Sequence, residues 1–190
     1  MNYGKIIYYD TANAKGLSTV LFVSGCDNHC VGCHNQQTWD FNYGKEYTEE
    51  TEKRILKSLE NPHIKNLVIS GGEPLHDNNR KIVSDLCRKA KFEYNKTVIL
   101  YTGYKINIVY IDSKIGDGYQ EVYLNQYNKS IKLNVNPFDY IIDGKYINNM
   151  RVNGIDYRGS TNQKCYKITT FSNGLFFIDD VTNNYFKSEV

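Results

Sequence analysis

A chain of 190 residues is long enough for one sizeable hydrophobic core and short for two domains. With 41% hydrophobic and 23% charged residues it sits among ordinary globular proteins, and a net charge of +2 argues for neither a nucleic-acid nor a membrane partner. No apolar run reaches the length of a signal-peptide core or a membrane span, so the expected setting is the cytoplasm, where five cysteines are more often metal ligands or catalytic thiols than disulfides.

In chain order, "STVLFVSG" (18–25) is rich in β-branched and apolar residues and stops at a glycine, which predicts a buried strand leading into "GCDNHCVGCHN" (25–35). "TEETEKRILKSLE" (48–60) predicts a helix with Thr48 as N-cap, Glu49 and Glu50 in the first turn, and Ile55, Leu56 and Leu59 at helical spacing. "KNLVISGGEP" (65–74) is a second strand ending in glycines. "DNNRKIVSDLCRKAKF" (77–92) is a second amphipathic helix, with Ile82, Leu86 and Ala90 on one face and Val83 and Cys87 beside them. "KTVILYTGY" (96–104) and "FDYIIDGKY" (138–146) predict two further strands.

The stretch 106–137 shows weak alternation and turn signals at Gly116 and Gly118, and is expected to be an inserted β-hairpin or a loop. A C-terminal extension, 166–190, is read as two strands around Ser172-Asn173-Gly174. Strands alternating with helices predict an α/β fold with a mainly parallel sheet. No repeat or linker marks a second domain, and a site is expected where the carboxyl ends of the strands open into glycine-marked loops.

Cys26, Cys30 and Cys33 fall within eight positions. Three thiolates fall short of a closed tetrahedral zinc site, whose fourth ligand would come from His29, His34, Cys87 or Cys165. The alternative is a 4Fe–4S cluster held by three cysteines, with one iron open to an external ligand. Alone, Gly71-Gly72-Glu73-Pro74 reads as a tight strand-to-helix turn, His34 as an exposed loop residue, and Cys87 as a small buried hydrophobe. Cys165 has no assigned role.

Cys-x3-Cys-x2-Cys after a first strand resembles the cluster loop of the radical S-adenosylmethionine (SAM) enzymes. More narrowly, "GCDNHCVGCHNQQTWDF", with Gly32 before the third cysteine and with Asn35, Thr38 and Trp39, resembles the activating proteins of anaerobic ribonucleoside-triphosphate reductases. "SGGEPL" (70–75), "YTGY" (101–104), "IIDGKY" (141–146) and "RGSTNQK" (158–164) resemble that family's later motifs, in the same order.

The resemblance implies a partial (β/α) barrel of the radical SAM type with a curved sheet, spanning 1–190 as a single domain. It implies a 4Fe–4S cluster on Cys26, Cys30 and Cys33, and SAM bound through its amino and carboxylate groups at the open iron. Gly71 and Gly72 would lie against the methionyl part and Glu73 would accept from its ammonium, with Pro74 stiffening the turn. Gly32, Cys33 and His34 would run beside the adenine, Thr102 and Gly103, with Tyr101, would wall the nucleoside, and Trp39 would anchor the cluster loop. Asp143, Arg158 and Asn162 would serve the cofactor or the partner.

The implied reaction is one-electron cleavage of SAM to methionine and a 5′-deoxyadenosyl radical, which takes a hydrogen from a glycine Cα in the reductase's large subunit. The implied electron donor is flavodoxin-like or another one-electron carrier. A radical enzyme with a different target and a non-catalytic zinc module are the competing expectations.

Overall fold

Most of the apolar runs do form strands, but they combine into a mixed sheet. The computed structural model describes residues 1–111, 119–126, 129–151, 157–171 and 175–183. In chain order the elements are β1 (Asn2–Asp10), β2 (Leu17–Val23), β3 (Lys45–Glu46), α1 (Glu49–Leu59), β4 (Ile64–Gly71), α2 (Asp77–Phe92), β5 (Thr97–Tyr101), β6 (Lys105–Ile111), β7 (Tyr119–Gln126), β8 (Lys129–Lys132), β9 (Tyr140–Asp143), β10 (Lys164–Thr170) and β11 (Phe176–Asp180). Two short 3-10 turns cover Gln36–Trp39 and Asn148–Met150.

The large sheet has eight strands in the order β11-β10-β9-β5-β4-β2-β1-β3. Its centre, β2-β4-β5-β9, is parallel, as expected; both margins are antiparallel. The six residues between β1 and β2 cannot make a parallel crossover, which takes a dozen or more. The end strands β3 and β11 do not pair, so the sheet stays open.

The central strands follow one another in sequence order, and their crossovers share one face. Leu21, Val23, Leu67, Ile69, Val98 and Leu100 pack there against Ile55 and Leu59 of α1 and Val83, Leu86 and Ala90 of α2. Thr48 caps α1 by accepting from the Thr51 N–H. The buried face of α2 centres on Val83, Leu86, Cys87 and Ala90, and Ile82 falls to its margin.

The third crossover, from β5 to β9, holds no helix among the described residues. It is the three-stranded antiparallel sheet β6-β7-β8, longer than the expected hairpin, and it closes the core with Ile106, Val122 and Leu124. Alternating apolar residues let it cover the place of a third helix. On the opposite face a smaller cluster forms from Ala14, Val20, Phe22, Val68, Ile99, Ile142 and Cys165.

β10 and β11 form the expected C-terminal strand pair. The turn assigned to Ser172-Asn173-Gly174 and the signals at Gly116 and Gly118 lie outside the described residues. No described helix is long and apolar enough to cross a membrane.

Candidate functional site

The parallel centre of the sheet sends four strand ends to one side of the molecule. There an open cleft of about 210 Å³ is lined by Cys30, Cys33 and His34 after β2, Gly71 and Gly72 after β4, Thr102 and Gly103 after β5, and Gly144 and Tyr146 after β9.

The cysteine loop is pinned at its base by backbone bonds from Gly25 N to Thr38 O (2.8 Å) and Cys26 N to Trp39 O (3.1 Å). Trp39 takes the His29 ring on its edge at 4.8 Å, so it anchors the loop from below. Cys26 is buried while Cys30 and Cys33 are half-buried, and all three are free thiols. Burial pushes the Cys26 thiol up to about 11. Cys30 is also raised by burial, against a Tyr146 backbone hydrogen bond and the Lys145 charge, which favour its thiolate.

Among the described residues no three His, Cys, Asp or Glu side chains converge on a single metal ion. A cubane spreads its thiolates over separate irons, and three thiols on one loop, two of them open to a cleft, fit that donor set.

The turn after β4 is stapled to this loop. Gly72 N donates to Val23 O (2.7 Å) and Glu73 N to Gly25 O (2.8 Å). Asn79 of α2 ties both loops together, its amide donating to Ser24 O (2.9 Å) and Glu73 O (3.0 Å). His76 Nδ1 accepts from the Asn78 N–H (3.2 Å), so its Nε2–H is left to donate to Asp27 (3.1 Å).

The glycines here are required by the chain itself. Gly71 has φ +103°, and a Cβ on it would lie 2.5 Å from Val23 O; one on Gly72 would lie 2.7 Å from Gly25 O. Close approach of backbone to backbone explains both residues before any ligand is considered.

Glu73 is fully buried beneath the cleft floor, and Pro74 is buried beside it. The Glu73 carboxylate accepts from Leu75 N (3.0 Å), Thr102 Oγ1 (2.6 Å), Gly103 N (2.8 Å) and Asn28 Nδ2 (3.1 Å). Burial still pushes the carboxyl up to about 7. The sign follows from linkage: an acid raised in the folded state stabilises the fold below its unfolded value, and that contribution is lost as pH rises from about 4.5 to about 7. Between pH 4.5 and 8, urea unfolding of the metal-free chain should lose about 3 kcal/mol relative to a Glu73→Gln variant, at 1.36 kcal/mol per unit.

The far wall is the segment following β9. Tyr146 is half-buried, its ring 5.9 Å from that of His34, and its hydroxyl donates to Asn148 Oδ1 (2.9 Å). Gly32 has φ +77°, and a Cβ there would lie 2.8 Å from Asn148 Oδ1. Its small size therefore admits the 146–148 segment against the cysteine loop.

The "RGSTNQK" block braces that segment and adds Gly159 and Gln163 to the cleft lining. Gln163 Nε2 donates to Gly144 O (2.8 Å), Asn162 Nδ2 to Lys145 O (2.9 Å) and Arg158 Nη1 to Gln163 O (3.1 Å). Asp143 is buried and accepts from Ile106 N (2.8 Å) and Lys164 N (3.3 Å); burial raises its carboxyl. Tyr101 is pinned through its hydroxyl to Asn13 O (2.9 Å).

Of the residues singled out for the cofactor, Cys30, Cys33, His34, Gly71, Gly72, Thr102 and Gly103 line this cleft, while Cys26, Gly32, Glu73 and Pro74 do not reach its surface. Asn28, Asn79 and Tyr146 escaped the sequence reading. Asn79 had a signal, being a polar residue on the apolar face of α2; Asn28 and Tyr146 had none beyond lying inside motifs.

Residues 12–166 match the family described as a 4Fe-4S single cluster domain, which sets the class: a protein built around one such cluster. Proteins bearing the name anaerobic ribonucleoside-triphosphate reductase-activating protein are similar along nearly the whole chain. The one from Vibrio cholerae is 34% identical over 173 residues, covering 89% of this chain and 99% of its own. That of Enterobacteria phage T4 is 34% identical, covering 89% and 96%, and that of Escherichia coli K12 is 31% identical, covering 86% and 96%. The chain belongs to this family of activating proteins.

Proposed function

We propose that the chain is a radical SAM activase that installs a glycyl radical on the large subunit of an anaerobic ribonucleoside-triphosphate reductase. The observation that carries this reading is the cleft itself. Cys30 and Cys33 of a three-cysteine loop meet the Gly71-Gly72 turn there, with Glu73 beneath, at the ends of four parallel strands. The open sheet with α1, α2 and β6-β8 on one face is then a partial (β/α) barrel of the radical SAM type, and 1–190 one domain.

When bound, the 4Fe–4S cluster and SAM supply one-electron cleavage of the sulfonium and hydrogen-atom transfer from a glycine Cα. Cys26, Cys30 and Cys33 hold three irons. The backbone at Gly32–His34, Gly72 and Thr102–Gly103 shapes the SAM pocket, and Glu73 takes the amino group. Tyr146 and the braced 158–164 segment keep water from the reacting atoms. A glycine target suits such a site, because a Cα without Cβ allows close approach. Free thiols and a cluster suit the reducing cytoplasm, where a flavodoxin-like protein or similar carrier supplies the electron.

The test is anaerobic: reconstituted protein, reductant, SAM and the partner reductase, followed by electron paramagnetic resonance. The expected result is a glycyl doublet, with 5′-deoxyadenosine formed in step. An intact cluster that cleaves SAM without producing the doublet would point to another target and overturn the assignment.

A further inference from the structure

An ionised carboxylate offers about four acceptor positions, and in Glu73 the chain fills all four. Leu75 N and Thr102 Oγ1 bond to Oε1, and Gly103 N and Asn28 Nδ2 to Oε2. An incoming ammonium finds no position there until one donor leaves. Leu75 belongs to the buried turn, and Thr102 and Gly103 to the end of β5, where the Thr102 N–H is itself held by Ile142 O (2.9 Å).

Asn28 differs from the other three. It sits on the cysteine loop between Cys26 and Cys30, is only half-buried, and makes the longest of the four bonds, at 3.1 Å. Its bond also runs directly under the cleft floor. A Cβ on Gly103, which lines the cleft, would lie 2.4 Å from Asn28 Nδ2 and 3.3 Å from Glu73 Oε2.

We propose that Asn28 is a place-holder: its side-chain amide occupies the Glu73 acceptor that the amino group of SAM takes over on binding. This rests on the SAM reading above. The exchange is favourable because an ammonium–carboxylate hydrogen bond is stronger than an amide–carboxylate one. It also links the two halves of the site. Asn28 lies two residues from Cys26 and favours its thiolate, so an amide released from Glu73 stays beside a cluster ligand. Arrival of the amino group is thereby coupled to the loop that holds the iron.

The experiment is anaerobic equilibrium dialysis of radiolabelled SAM against cluster-loaded wild-type protein, Asn28→Leu, which keeps the branching and removes the donor, and Asn28→Ala. Both variants are expected to keep their iron and to bind SAM roughly three- to tenfold more tightly, since one competing hydrogen bond is gone. A deaminated SAM analogue is expected to bind all three proteins alike, which ties the gain to the amino group. If cluster-loaded wild type binds no SAM, the activase reading itself fails. If wild type binds and the variants bind no tighter, lose their iron, or gain equally for the deaminated analogue, the place-holder role is overturned and the activase reading stands.

Discussion

Alanine at Cys30 or Cys33 should empty the site, taking iron from about four per chain to background, whereas Cys87→Ala and Cys165→Ala should leave the iron content unchanged. The contrast comes from position. Cys30 and Cys33 open onto the cleft on one short loop. Cys87 is fully buried on α2 within the main core, and Cys165 is buried on β10 in the smaller cluster on the opposite face of the sheet. Burial also raises both of these thiols, Cys165 to about 12. Cys26→Ala should also abolish the cluster, although its thiol is the most buried of the three in the loop. Iron and sulfide analysis of anaerobically prepared variants reads the outcome directly. Cluster loss on changing Cys87 or Cys165 would overturn the ligand set.

Gly71→Ala should cost about 4 kcal/mol, from roughly 1–3 for an unfavourable backbone conformation and a similar amount for overpacking. The new methyl would meet the backbone of Val23 and Phe22 at 2.5–2.8 Å, and backbone cannot swing aside as a side chain can. Relief would require β2 and β4 to separate where the cysteine loop begins, so cluster loading should fall along with stability. Gly16→Ala is the control. Gly16 has a similar φ of +86° but no non-adjacent atom nearer than 3.6 Å, so only the conformational term remains, about 1–2 kcal/mol. In a chain of this size the first change lowers the melting temperature by about 10 °C and the second by a few degrees. Equal losses would mean that conformation, not collision, is what Gly71 relieves.

The strands β2, β4, β5 and β9 and both helices were legible because each is a local pattern: an apolar run ending at glycine, or apolar residues at helical spacing with a cap. The missed elements lack such a signature. β1 carries little apolar alternation, and β3 is two exposed residues held only by pairing with β1. The 106–137 stretch displayed its alternation, but nothing local says that a small sheet will cover the place of a third helix. Whether Ile106 or Val122 reaches the core depends on where β6 and β7 are laid down.

The same division runs through the site. Three cysteines at close spacing and two glycines before a Glu-Pro are steric and chemical statements made within a few residues, and they remain valid in any fold that presents them. Their meaning, however, depended on residues far apart in the chain. Gly71 faces the strand beside it, Gly72 the base of the cysteine loop, Gly32 accommodates Asn148, and Glu73 collects donors from positions 28, 75, 102 and 103. These contacts arise from the parallel register of β2, β4, β5 and β9, which aligns four strand ends. Register is set by long-range packing, so local spacing identified the chemistry while the assembled sheet decided which groups hold it in place.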